Sequence, residues 1–204
     1  MTTRGLLMTL DAKAGKEDEL EALLLAALPM AVAEPATTAW FALRAGKGEY
    51  EIFDAFPDDA GRDAHLSGAI AAAVRDQADL LDAEPRVEAI EILADKRTPG
   101  IVRKGLLLRL PIKEAHRDDA AAFLRSGRDV VAQEPDTTSW FALRFANGDH
   151  GVFDVFPDSK GRRAHLAGKI PQQLALHGLP WLAGLPHMSF LDVVADTVEV
   201  EIDL

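Results

Sequence analysis

One stretch of this chain is written twice. Residues 34–70 read EPATTAWFALRAGKGEYEIFDAFPDDAGRDAHLSGAI, and residues 134–170 read EPDTTSWFALRFANGDHGVFDVFPDSKGRRAHLAGKI. The two align without a gap at an offset of one hundred residues, and more than half of the positions are identical. A period of that length is too long for a solenoid unit and suits a small domain. The chain therefore reads as two copies of one module, 1–97 and 102–204, each large enough for a core of its own. The connecting residues 94–104, ADKRTPGIVRK, are polar and carry Pro99-Gly100, as a link between modules should.

Hydrophobic residues make up 48% and charged residues 27%, as in an ordinary globular protein. With no cysteine, disulfides, thiolate metal sites and cysteine nucleophiles are excluded. That usage fits a reducing cytoplasm, where we expect the chain to reside. No N-terminal segment joins a basic start to an apolar run, so no signal peptide is expected. No uninterrupted apolar stretch is long enough for a bilayer, so no membrane partner is expected. The net charge is −11, most of it in the first half. Such a surface repels a phosphate backbone, which removes nucleic acid from the expected partners and leaves solubility as the use of the charge.

Each copy carries the same succession of patterns. Residues 5–10 (GLLMTL) and 105–110 (GLLLRL) read as strands. Pro111 should end regular pairing in the second copy or place that strand at an edge. A helix follows, with Leu20, Leu23, Leu24 and Leu28 at helical spacing and Glu17, Asp18 and Glu19 in its first turn. Pro29 should kink or split it. In the copy the stripe is Ala120, Phe123, Leu124, Val130 and Val131, with Gly127 a weak point. TTAWFALR, a glycine turn at Gly46 and Gly48, and GEYEIFDAF form a hairpin closed by Pro57. Asp58 and Asp158 should cap a short helix, and a second helical stretch should run over residues 68–82. The last strands are RVEAIEILAD and HMSFLDVVAD. The order β-α-β-β-α-β is ferredoxin-like, an α+β arrangement with helices on one sheet face. The bare face of one copy is expected to cover that of the other, closing a pseudo-dimeric α+β barrel within one chain.

Side chains alternate along a strand. Thr38, Trp40, Ala42 and Arg44 share one face of the hairpin, and Tyr50, Ile52, Asp54 and Phe56 join it if Arg44 pairs near Tyr50. The opposite face of small and apolar residues suits packing on helices. The mixed face suits a cavity for a flat, partly polar organic molecule, with Arg44 holding an oxyanion or carboxylate. The plainer reading makes Trp40 a core aromatic and Arg44–Asp54 an ion pair between strands. The copy keeps Trp140, Arg144, Asp154 and Phe156, and has His150 for Tyr50 and Gly151 for Glu51. It also gains His177, Trp181 and His187, so the second half is the expected location of an active pocket. His150 and Asp154 could share a face, but no third metal ligand accompanies them, and no metal site is expected.

The words E-P-x-T-x-x-aromatic-x-x-x-R (Glu34 to Arg44), F-D-x-aromatic-x-D (Phe53 to Asp58) and A-H-L (Ala64 to Leu66), each repeated, resemble the antibiotic biosynthesis monooxygenase-type family of the dimeric α+β barrel superfamily. The resemblance covers nearly the whole chain. It implies a two-sheet barrel built from one chain, and small-molecule chemistry without metal, flavin or other cofactor, such as oxygenation of quinols or polyketide phenols. It singles out Asp54 and Asp154, and the histidines His65 and His165. These histidines could carry protons at the pocket. Alternatively, each bonds a backbone carbonyl and anchors helix to sheet. Haem-degrading relatives use a histidine about ten residues further on, where this chain has Arg75 in one half and Ala175 with His177 in the other, so haem is not expected.

The resulting expectation is a cofactor-independent monooxygenase with His65, His165, Arg44 and Arg144 as catalytic groups. Trp40, Trp140, Tyr50, His150, Asp54, Asp154, Phe56 and Phe156 are the expected substrate wall. Two alternatives stand beside it, a non-catalytic small-molecule binding module and a stress-associated barrel protein plugged by its own side chains. A small molecule is the expected partner, and further association into a homodimer is left open.

Overall fold

A computed structural model describes residues 2–198. The first repeat runs β1 (Arg4–Asp11), α1 (Glu17–Ala33), β2 (Ala39–Gly46), β3 (Glu49–Phe56), α2 (Asp59–Leu66), α3 (Ala69–Asp76) and β4 (Arg86–Arg97). The second runs β5 (Lys104–Leu110), α4 (Arg117–Val131), β6 (Ser139–Phe145), β7 (His150–Phe156), α5 (Ser159–Leu166), α6 (Lys169–Gln173) and β8 (His187–Asp196). Hydrogen-bonded neighbours follow the order β1-β3-β2-β8-β5-β7-β6-β4, which closes into an antiparallel barrel. The chain is thus α+β, with a ferredoxin-like order of elements occurring twice.

The compact units do not coincide with the repeats. One comprises the chain up to Ile90 together with Leu191–Thr197, and the other comprises Glu91–Phe190. In the first unit, β2 would be left with a bare edge but pairs with the end of β8, from Phe41↔Asp196 to Arg44↔Asp192. An unpaired edge is a row of unsatisfied N–H and C=O groups, and this pairing removes it. In the second unit the end of β4 plays the matching part beside β6. The polar link is accordingly shorter than residues 94–104 suggest, since β4 continues to Arg97.

The β2–β3 hairpin has the register that alternation and its glycine turn predict, with Arg44 opposite Tyr50 and Trp40 opposite Asp54. Gly48 takes φ +77, a left-handed value that a side chain would strain. The face assignment is reversed. Trp40, Ala42, Tyr50 and Ile52 lie beneath Leu20, Leu24, Ala27 and Ala31 of α1, and Ile70 and Val74 of α3 join them. The mixed face is therefore the helix-covered face, and the expectation that it looks away from the helices is overturned. Both faces are apolar enough to be buried, since Phe41, Leu43, Phe53 and Ala55 on the other side are as inaccessible as Trp40. Alternation defines two faces but does not say which one a helix will cover.

The helices differ from expectation in three places. Helix α1 runs unbroken to Ala33 with Pro29 inside it. The proline removes one bond, to the carbonyl of Leu25, on a side of the helix open to water, where Leu25 is half-exposed. Helix α3 ends at Asp76 and a 3-10 turn over Ala78–Leu80 follows, so residues 68–82 are not one helix. Helix α6 is only five residues long, contains Pro171, and leads into a single π turn at Leu174–Gly178. Asp58 and Asp158 do cap α2 and α5, accepting from the Gly61 and Gly161 amides. Among the described residues, no helix is long and apolar enough to cross a membrane.

Candidate functional site

The conserved geometry of the repeat is a chain of three side chains. In the second unit α5, started by the Asp158 cap, brings His165 in its last turn over β7. His165 Nδ1 lies 2.7 Å from Glu134 Oε2, in the turn after α4. Its Nε2 lies 3.4 Å from Asp154 Oδ2 on β7. Thr137 Oγ1 donates to Glu134 Oε2 at 2.8 Å, and the Phe156 ring packs 5.5 Å from the imidazole. The first unit repeats this with Glu34, His65 and Asp54, at 2.6 and 3.7 Å. Thr37 donates to Glu34 at 2.7 Å, and Phe56 lies 5.2 Å from His65.

Burial pushes the Asp154 carboxyl up to about 7; the His165 charge opposes this and the Glu134 charge adds to it. Asp54 is raised to about 7 in the same way. For Glu134, burial also disfavours the charge. Hydrogen bonds from His165 and Thr137, with the charges of His165 and Lys96, outweigh burial and hold it below the usual carboxylate range. Burial alone would lower His165, yet the Asp154 charge and the hydrogen bond and charge of Glu134 raise it. Glu134 is thus the ionised acceptor of the Nδ1–H, which leaves Nε2 to share a proton with Asp154 near neutrality. Lys96 steadies the Glu134 turn. Its Nζ donates to the carbonyls of Val131, Glu134 and Thr137 at 3.1, 2.7 and 2.6 Å.

Above Asp154 lies a cavity of about 250 Å³, wholly within the second unit. Trp140, Asp154 and His165 line its inner end, and Phe123, Leu124 and Leu174 are among its walls. Asp154 Oδ1 and Trp140 Nε1 are buried there without a hydrogen-bond partner. An unmet polar group in an apolar chamber calls for a ligand or a water. The short α6 and the π turn border this space through Ile170, Pro171, Leu174 and Gly178. In the first unit, Ile70 and Val74 of the longer α3 pack with Trp40 in one core cluster. Gly127 of α4 is more than a weak point in its helix. A Cβ there would stand 3.3 Å from the Trp140 indole, so the glycine admits the ring against the helix.

Trp140, Asp154 and His165 are thus brought together at the cavity, with Phe156 behind the histidine. The arginines stand elsewhere. Arg144 holds Glu91 with two nitrogens, one at 2.8 Å. Arg44 holds Glu21 at 2.8 Å and lies 3.7 Å from Asp192. The alternative Arg44–Asp54 pair does not form, because Asp54 sits opposite Trp40, at the other end of the ladder from Arg44. Tyr50 Oη is 3.1 Å from both the Glu17 carbonyl and Glu21 Oε2. Burial and Glu21 push it up to about 12, so it is a poor proton donor. His150 Nδ1 donates to the Gly148 carbonyl at 3.1 Å, and burial lowers its pKa. His65 and His165 do anchor helix to sheet, but through carboxylates and not a backbone carbonyl. His177 and His187 are exposed and line no part of the cavity. Trp181 packs edge-on against Phe123 at 5.7 Å, next to the chamber. Glu34 and Glu134 were not singled out from sequence. Their signal was the twice-written E-P-x-T word, 31 residues before each histidine.

No protein-family model matches the chain, and no curated protein matches it. Among solved structures, a "putative monooxygenase" from Fusobacterium nucleatum superposes with a TM-score of 0.85 at 12% identity, covering 100% of this chain and 97% of its own. A ferredoxin-fold protein from Listeria monocytogenes, described as uncharacterized and related to antibiotic biosynthesis monooxygenases, gives 0.61 at 6% identity over 95% of each chain. A protein of unknown function from Nitrosomonas europaea is 50% identical over 49% of this chain and 98% of its own, with a TM-score of 0.47. The chain shares the fold of monooxygenase-type ferredoxin-fold barrels.

Proposed function

We propose that the chain is a cofactor-independent monooxygenase acting on a small phenol- or quinol-type substrate in the cavity of the second unit. The observation that carries this reading is Asp154. It is a buried carboxyl raised to about 7 that lines an apolar chamber, with one oxygen unpartnered, as in Asp54, and the other facing His165. A base works best when its pKa lies near the working pH, and burial has moved Asp154 there. Substrate hydroxyl placed against Oδ1 would lose its proton to Asp154, and His165 would take that proton on. Glu134 stabilises the imidazolium that results. The electron-rich anion, held away from water, then reduces dioxygen and bonds it at carbon. Loss of water from the hydroperoxide completes the balance. One ring C–H, the phenolic O–H and O₂ become two ring C=O groups and H₂O, with one oxygen kept on carbon and the other leaving with the two hydrogens. Trp140 Nε1–H is the donor available to a developing oxyanion.

A second reading, a binding module without turnover, is supported by the first unit. There the same Glu34–His65–Asp54 chain ties α2 to β3 and to the turn after α1, so the motif also serves as an anchor. Oxygen uptake with a panel of quinols and phenols separates the two. The oxygenase reading expects uptake that Asp154→Asn lowers by about 10²–10⁴-fold. Thermal shifts with ligands but no uptake for any of them would leave the binding module.

A further inference from the structure

The chamber above Asp154 reaches the surface. Its lining runs from Asp154, 1% exposed, to Met188 and Leu179, 40% and 65% exposed. Ala175 and Pro186 also line it, and their chain neighbours Leu176 and Leu185 are 74% and 91% exposed. The exposed apolar rim residues Leu179 and Met188 are continuous with the chamber through its lining, and exposed apolar surface of this kind marks a binding site. The polar groups, Asp154, His165 and Trp140 Nε1, are all at the buried end. From there to the rim the wall is hydrocarbon. At about 250 Å³ the chamber lies below the usual range for ligand pockets, about 300–1,000 Å³. It suits a small ring and leaves little room for a fused polycycle.

We propose that the ligand of this site is amphiphilic, with an ionisable ring as head and a linear apolar tail. The head meets Asp154 and the tail leaves across Leu179 and Met188. This rests on the reading of the cavity as a substrate chamber. One occupant then covers both the chamber and the rim, because the same residues belong to both. A protein surface laid on the rim would leave the chamber unfilled.

Binding of a 4-alkylphenol series, from methyl to heptyl, tests this by calorimetry, with no turnover required. The dissociation constant is expected to fall by up to about fourfold per methylene and then level off once the tail passes the rim. Leu179→Asn together with Met188→Asn, both at exposed positions, should flatten that dependence. Affinity indifferent to chain length would overturn the proposal. So would a slope that the double variant leaves intact, or one accompanied by a dimer that the variant dissociates. Oxygen uptake that is equal for short and long tails would sink this inference and leave the oxygenase reading standing. A steep tail dependence without any uptake would do the reverse.

Discussion

Asp54 and Asp154 are held where their charge is costly. An unfolded aspartate titrates near about 3.9, whereas burial raises both groups to about 7 in the folded chain. Between those values the folded protein keeps a proton that the unfolded chain has released. The stability each contributes is full below about 3.9, declines as pH rises, and is lost above about 7. Asp54→Asn should therefore unfold at higher temperature than the parent at pH 8, by about 1–3 kcal/mol, with the gap closing toward pH 4. Thermal unfolding across that range checks it, and a gap that widens in acid would contradict it. At the second site, turnover should rise with pH through about 7, as the Asp154 carboxylate becomes available. The histidines were legible from the repeated A-H-L word. Asp54 and Asp154 were legible too, but the Glu34 and Glu134 partners were not, because a helix and a turn bring them to the histidines from 31 residues away.

Short elements position the site, and their ends can be tested separately. Asp158 caps α5, which carries His165, and Asp58 does the same for α2. Replacing either by alanine should cost about 1 kcal/mol in chemical denaturation. Only Asp158→Ala should also lower oxygen uptake, because α5 aims the histidine that shares its cavity with Asp154 and Trp140. Gly127→Val pushes two further methyl groups toward the Trp140 indole and Ile170. It is expected to cost about 1–3 kcal/mol and to shift tryptophan emission as the ring moves. An unshifted spectrum would mean that the helix backs away instead. The caps were readable because a cap is a local pattern. The unbroken helix through Pro29 was not, because its cost depends on whether water reaches the freed carbonyl.

At the scale of the molecule, neither unit is completed by its own repeat. The first takes Leu191–Thr197 as a strand, and the second takes residues from Glu91 onward. A fragment of residues 1–100 should therefore lack the strand that covers β2, while its own β4 loses its place beside β6. Sedimentation should find it as a dimer, each copy lending β4 to the other. A folded monomer would contradict this. The position of the link could be read from Pro99-Gly100, but not the division of β4, since nothing in a strand's own pattern says where its contacts change sides.

What the sequence determined by itself is the twofold order of elements, the hairpin register and the helix caps. Each rests on residues a few positions apart, through strand alternation, left-handed glycines and side-chain acceptors for free amides. The tertiary structure decided which hairpin face lies under α1, which carboxylate steadies each histidine, and that the second unit holds a cavity between helix and sheet. These depend on apolar area summed over whole faces. They also depend on small differences between the copies, such as a proline-containing five-residue α6 against a longer α3, which become visible only once the helices are packed on the sheet.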